Sequence, residues 1–312
     1  MNLTHGTLKT PSLRGLRVRR ARFTSEMTTV IRCAFTLIEL LVVVSVVALL
    51  AATLVPTLAG ARIGAQTFHC LNNNRQLCSA WRMYADDNRD RIVYSGRSGS
   101  TMINSNDAYA WTGTSMDFDP NYSANWDTNV DIVKRPLWPY TSKDASIYRC
   151  PSDHSYVVVG GVPKPRVRTF AMNLFTGGYA PAPGSGPAGT DGGYAPTFRI
   201  FSKTTELTAP GPGKTFVFID MRPDEVNWGN FLTDMAGYYP NNTPLYAFYD
   251  LPGIFHNYGA SLSFADGRAE IRRWVDPRTG PPISDLVFDT WPFASPRNAD
   301  VGWLQARTTS LK

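Results

Sequence analysis

Hydrophobic and polar positions change their pattern twice along the chain. From Leu40 to Val55 nothing is charged, and Phe35 to Leu58 contains one ionisable side chain, Glu39. About 20 apolar residues at 1.5 Å rise span roughly 30 Å, the hydrocarbon thickness of a bilayer, so residues 35–58 are expected to form a transmembrane helix. Residues 59–90 then become amphipathic. Phe68, Leu71, Cys78, Trp81 and Ala85 recur at helical spacings, with Leu77 and Tyr84 widening the face and Arg75, Arg82, Asp86 and Asp87 towards solvent. One helix of roughly 80 Å is expected, ending near Asp86-Asp87-Asn88, its apolar stripe serving as core.

Beyond it come short runs broken by Gly, Pro, Asn and Asp. Tyr109–Trp111 is expected to be a weak strand. Asp131–Tyr148 should hold short helical turns interrupted by Pro136 and Pro139, and Lys214–Asp220 is the clearest buried strand. Ala260–Trp274 predicts a hairpin. Leu262 and Phe264 alternate with serines, Ala269 and Ile271 with charges, and Asp266-Gly267 suits a type I′ turn. Gly177–Pro196 carries Gly-Gly-Tyr-Ala-Pro twice and is expected to be an exposed loop; the tail after Pro277 has no clear period. The fold class is therefore α+β: a long N-terminal helix packed on a small antiparallel-sheet head spanning residues 91–312.

Charge narrows the function. Seven of the 31 basic residues and one of the 25 acidic ones lie in residues 1–34, so 24 of each sign remain in the other 278. A neutral body does not track phosphates, and no nucleic-acid partner is expected. Arginines just before the apolar run predict a single-pass orientation with the head outside the cytoplasm. The run continues past Ala48, Ala51 and Ala52, which argues against a cleavable signal, and a soluble core helix rarely follows a block of arginines.

A carboxylate within such a run is a functional candidate, because burial in lipid without a partner costs a few kcal/mol. The string Cys33-Ala34-Phe35-Thr36-Leu37-Ile38-Glu39 resembles the type IV prepilin cleavage and methylation motif. The resemblance implies that residues 1–34 are a leader and that a prepilin peptidase cuts between Ala34 and Phe35 and methylates the new amine. The family has Gly where this chain has Ala34. Glu39 becomes the fifth mature residue, placed to neutralise the amine of a neighbouring helix. Pro56 falls at mature position 22, where many such subunits carry a helix-loosening proline. A start at Met27 would give an eight-residue leader, the length more typical of this family. A second resemblance covers the head. Cys70-Leu-Asn-Asn, Tyr84-Ala-Asp-Asp-Asn, Cys150-Pro-Ser-Asp, and His256 followed by nine residues and then Asp266-Gly267 are similar to prepilin-type proteins with a C-terminal H-X9-DG signature. Those proteins are described as pseudopilin-like.

Candidate chemistry is sparse. Cys33 leaves with the leader. Cys70 and Cys78 lie about 12 Å apart along the helix, too far for a disulfide. A Cys70–Cys150 disulfide is expected in an oxidising compartment, with two free buried thiols as the alternative. Zinc is disfavoured because no two cysteines have ligand spacing. For His256 the expected role is a hydrogen bond to a loop carbonyl, with Asp266 and Gly267 forming the turn. Calcium is a weak possibility on hard donors: Asp220, Asp224 and Glu225, with Asp250 and Asp266. Gly211-Pro-Gly-Lys214-Thr lacks the first glycine and the preceding strand of a phosphate loop. No catalytic residue or cofactor is expected. The sequence thus predicts a pseudopilin or pilin-like subunit of the bacterial inner membrane, a substrate of prepilin peptidase that assembles with other pseudopilins into a type II secretion or type IV pilus-like filament. Two alternatives are a membrane-tethered carbohydrate-binding module, favoured if the aromatic rings of residues 177–196 and 277–303 are exposed, and an anchored hydrolase.

Overall fold

A computed structural model describes residues 36–96, 105–180, 197–226, 228–282 and 292–312. Ala34, Phe35 and the second Gly-Gly-Tyr-Ala-Pro copy lie outside them. The chain divides into two units, one ending at Leu54 and the other running from Val55 to Lys312.

Helix α1 spans Leu37–Asp87. Its start is fixed by a capping box, Thr36-Leu-Ile-Glu39. The Glu39 carboxylate accepts from the Thr36 backbone N–H (2.9 Å) and hydroxyl (2.7 Å), and the Glu39 N–H donates to Thr36 Oγ1 (3.2 Å). Two groups orphaned at a helix end are satisfied locally. Between Leu37 and Val55 the large apolar side chains are exposed, and this is the one helix among the described residues long and apolar enough to cross a membrane.

The later part of α1 buries Cys70, Asn74, Leu77, Cys78, Trp81, Tyr84 and Ala85. Phe68, expected on this face, is 68% exposed. The stripe begins at Cys70 and passes through a polar residue, Asn74, whose amide donates to Ser261 Oγ at 3.0 Å. Reading only apolar residues therefore rotated the face. The helix ends as the charge pattern predicts.

Among the described residues the head has nine short strands: β1 (Tyr156–Val159), β2 (Val162–Pro165), β3 (Phe170–Asn173), β4 (Phe216–Asp220), β5 (Asn230–Phe231), β6 (Ala247–Phe248), β7 (Gly259–Phe264), β8 (Ala269–Arg273) and β9 (Phe293–Ala294). A five-stranded sheet in the order β5-β3-β4-β7-β8 forms its centre; β1-β2 and β6-β9 are separate pairs. Because β3 and β5 run parallel, the sheet is mixed where a purely antiparallel one was expected. β4 and β7 are buried along their whole length, including Ser261 and Ser263, so both faces of the sheet centre are covered. α1 covers part of β7: Asn74 reaches Ser261, and the Cys78 thiol donates to the Phe264 carbonyl at 3.1 Å.

Several local expectations change. Tyr109 ends a 3-10 turn, Ser105–Tyr109, and Ala110 makes only an isolated bridge with Tyr94. The hairpin forms as predicted, but its turn is different. Gly267 N–H donates to Phe264 O (2.8 Å) and Phe264 N–H to Arg268 O (2.8 Å), with Gly267 alone at positive φ (93°). This is a three-residue loop whose glycine takes the left-handed position, which Asp266 does not share. In the aperiodic tail a short helix, α2 (Ala299–Gln305), is capped by Asn298, which accepts from the Asp300 N–H.

The first Gly-Gly-Tyr-Ala-Pro copy is not an exposed loop along its described residues. Gly177, Gly178 and Ala180 are buried, and Ser95 N–H donates to Gly178 O at 2.9 Å. Gly177 sits at φ +117°, and a Cβ there would lie 2.3 Å from the Val93 carbonyl oxygen. Gly177→Ala is expected to cost about 1–3 kcal/mol through backbone strain alone, read as a lower urea midpoint of the detergent-solubilised chain. An unchanged midpoint would mean that the 93–96 and 177–180 segments separate freely.

Candidate functional site

Four side chains from four separate elements meet within the head. Cys70 comes from α1, Cys150 from the loop after the 3-10 turn Ala145–Tyr148, Asp220 from the end of β4, and His256 from the loop before β7. All four are buried, and their ligand-type atoms lie within 4.8 Å of one another. The Cys70 thiol donates to Asp220 Oδ2 at 3.5 Å. Cys150 Sγ stands 3.4 Å from His256 Nε2, and His256 Nε2 stands 3.2 Å from Asp220 Oδ2.

Each member is held from behind. Asp220 Oδ1 accepts from the Ser261 N–H (2.9 Å), so Oδ2 is the oxygen turned towards the sulfurs and the imidazole. Gly253 closes on the same residue: its N–H donates to Asp220 O at 2.7 Å, and a Cβ there would lie 2.7 Å from Asp220 Oδ1. His256 Nδ1 lies 3.2 Å from Thr67 Oγ1, and the Thr67 hydroxyl donates to Ile63 O at 2.9 Å. The Cys150 N–H donates to Thr169 Oγ1 at 3.3 Å, and the Cys150 carbonyl accepts from the Asp153 N–H at 3.0 Å, closing the Cys-Pro-Ser-Asp turn.

Proton affinities in the cluster are shifted by these contacts. Burial, then Cys150 and the Asp220 charge, push the Cys70 thiol well above the ordinary range. Burial acts the same way on Cys150, but hydrogen bonds from Cys70 and His256 outweigh it and bring that thiol down to about 7. Burial disfavours charge on His256, yet Asp220 and Cys150 together raise it to about 10. Cys78, outside the cluster, is raised to about 12 by burial.

The cysteine expectation is thus half met. Cys70 and Cys150 do meet, but as free thiols, not as a disulfide. Each sulfur faces a third group, Asp220 for Cys70 and His256 for Cys150, so the pair belongs to a larger polar centre. His256 faces a carboxylate and a thiol where a loop carbonyl was expected. It does not meet Asp266, because the two sit beyond opposite ends of the six-residue β7, about 20 Å of strand. The nine-residue spacing therefore measures one strand plus its turn. Asp266 and Gly267 form that turn: Asp266 Oδ1 accepts from the Arg268 N–H (2.9 Å), and Arg82 on α1 donates to Asp266 O (2.8 Å).

The weak calcium set does not converge. Asp220 belongs to the cluster, whereas Asp224 forms a buried ion pair with Arg222, and the buried Glu225 donates its N–H to Arg222 O at 3.1 Å. Asp250 is buried elsewhere, accepts the Leu232 N–H at 2.6 Å, and is raised by burial to about 7. Glu39 caps α1, and Pro56 lies within it. Of the tail rings expected to mark a binding surface, Phe288 and Trp291 lie outside the described residues; Trp303 is half-buried, packs edge-on against Trp274 and lies beneath Arg272 and Arg307.

No family model, characterised protein or solved structure matches this chain.

Proposed function

We propose that this chain is a membrane-anchored pilin-like or pseudopilin subunit, trimmed by a prepilin peptidase before Phe35 and assembled with sister subunits through its N-terminal helix. The observation that carries the reading is the first third of α1. Its leucines and valines are exposed from Leu37 to Val55, and its one ionisable side chain, Glu39, stands at the helix start. Such a surface needs lipid or other apolar helices around it. Near the helix start a carboxylate also offers a partner for an amine in an adjacent subunit.

The capping box gives Glu39 a local role as well, and the two roles separate by experiment. Glu39→Gln retains the capping geometry, since Gln serves at this position, but loses the charge. It is expected to leave membrane insertion intact and to reduce cross-linked oligomers in native membranes at least tenfold. Val46→Asp, in mid-span, should instead lower membrane insertion itself. Equal cross-linking of Glu39→Gln and wild type would refute assembly through this carboxylate. Full recovery of the wild-type chain without detergent would refute the anchor.

A further inference from the structure

We infer that Cys70, Cys150, Asp220 and His256 form a tetrahedral zinc site that ties α1 to the sheet and to two loops of the head. Four atoms on one zinc, at about 2.0–2.3 Å each, stand roughly 3.3–3.8 Å apart. The measured separations are 3.2 Å (His256 Nε2 to Asp220 Oδ2), 3.4 Å (Cys150 Sγ to His256 Nε2) and 3.5 Å (Cys70 Sγ to Asp220 Oδ2). Each falls within about 0.2 Å of the value for its atom pair. The remaining pairs, like these, lie within 4.8 Å.

Proton accounting selects the imidazole nitrogen. The single hydrogen of Thr67 Oγ1 is used on Ile63 O, so Thr67 can only accept from His256 Nδ1–H. In the neutral ring Nε2 then carries the lone pair, and Nε2 is the atom facing both the carboxylate and the sulfur. Thr67 thereby fixes the tautomer, as outer-shell partners of zinc-bound histidines do. The Ser261 N–H does the same for Asp220, leaving Oδ2 as a single-oxygen ligand.

Charge and softness select the metal. Two thiolates and one carboxylate around Zn²⁺ leave a net charge of −1, equal to that of a Cys3His site. Thiolate and imidazole donors suit zinc and not calcium or magnesium. Zinc displaces the protons held by the two sulfurs and by His256 Nε2, which pass to solvent as the S–Zn and N–Zn bonds form, with no change of oxidation state. A disulfide would consume both sulfurs and leave Asp220 and His256 as a buried pair with no shared partner. His256 and Thr67 border a groove that also includes Ile63, Phe255, Ile271 and Trp303, which gives the ion a route in.

The test uses the full chain, extracted from membranes in detergent without chelator. Metal analysis should find about one zinc per chain. Replacement by Co²⁺ should produce the visible bands of a tetrahedral centre and a thiolate-to-cobalt charge-transfer band, while Ca²⁺ should not compete. Thr67→Val, which keeps shape and removes the acceptor, should weaken zinc affinity about 10–100-fold with an unchanged far-UV spectrum. His256→Gln should abolish the cobalt spectrum. Three results would overturn the site: a Cys70–Cys150 disulfide as the main form by peptide mass spectrometry, less than a tenth of an equivalent of zinc after reconstitution, or wild-type affinity in His256→Gln. Should His256→Gln fail to fold, the stoichiometry and cobalt spectrum of the wild type still decide.

Discussion

Replacing Trp111 by alanine is expected to destabilise the head by about 3–5 kcal/mol, the range for removing a large buried aromatic ring. Trp111 is completely buried. Its indole stacks on Tyr148 (interplanar angle 5°), meets Phe218 of β4 edge-on at 5.1 Å, and lies under the Arg168 guanidinium at 5.9 Å. Its Nε1–H lies 2.9 Å from both the Ser95 and Gly229 carbonyls. Gly229 O also accepts from Met172 of β3, so Trp111 fixes the residue that leads into the short parallel strand β5. The alanine variant therefore loses ring contacts and leaves the Ser95 carbonyl without this donor. For a unit of this size the loss should lower the thermal midpoint by roughly 10 °C. Trp111→Phe keeps most of the ring and removes the N–H, so it should cost about 1–3 kcal/mol. If both variants melt with the wild type, Trp111 does not organise this core.

Asp131→Ala should be comparably damaging, and the wild type should show the reason in its acid sensitivity. Asp131 is buried with its carboxylate ringed by donors. Thr112 Oγ1 lies at 2.6 Å, the Gly113 N–H at 3.0 Å and Thr114 Oγ1 at 2.9 Å, and Arg135 completes the ring with a charge-assisted bond. Burial alone would raise the proton affinity. The Arg135 charge and the hydrogen bonds prevail and hold Asp131 below the ordinary carboxylate range. The folded state thus binds this proton less readily than the unfolded state. The stabilisation is fully present above the unfolded carboxylate value near 4 and is lost as pH falls through the lower folded value. Removing the carboxylate leaves the Arg135 charge and three donors facing a gap, at a cost of about 3–5 kcal/mol. Urea midpoints measured between pH 7 and pH 3 should fall for the wild type more steeply than for Asp131→Ala. Parallel curves would show that Asp131 is not a source of acid sensitivity.

The apolar helix was the most legible part of the chain, because the sixteen uncharged residues from Leu40 to Val55 make it long and apolar enough to cross a membrane. The strand Phe216–Asp220 and the hairpin around Asp266-Gly267 were legible for a similar reason, since apolar runs and Asp-Gly act locally. The amphipathic stripe was harder. Its register depends on Asn74, which is buried because Ser261 lies opposite, and no local pattern carries that information. β5 is two residues long and pairs in parallel with β3, so it depends wholly on tertiary contact. The helix in the tail had a visible signal in Asn298-Ala-Asp300, an N-cap followed by an acidic first turn, which the surrounding Pro and Arg residues masked.

The four-residue cluster was hidden by distance along the chain. Spacing rules detect zinc sites whose ligands sit in pairs on one turn, whereas here each ligand comes from its own element, with successive members 36 to 80 positions apart. Cys70, Cys150 and His256 stood out individually, yet only β4, passing between α1 and the loops, joins them through Asp220. The Thr-x-x-Glu capping box was also legible, since Thr36 and Glu39 stand three residues apart immediately before an apolar run.

The most direct measurement is the N-terminal mass of the chain recovered from native membranes. A pilin-like subunit should begin at Phe35 with a methylated amine, and a peptidase-deficient strain should retain the residues before it. An untrimmed chain in the wild-type membrane, or a polypeptide beginning after residue 58 in the medium, would contradict the proposed function.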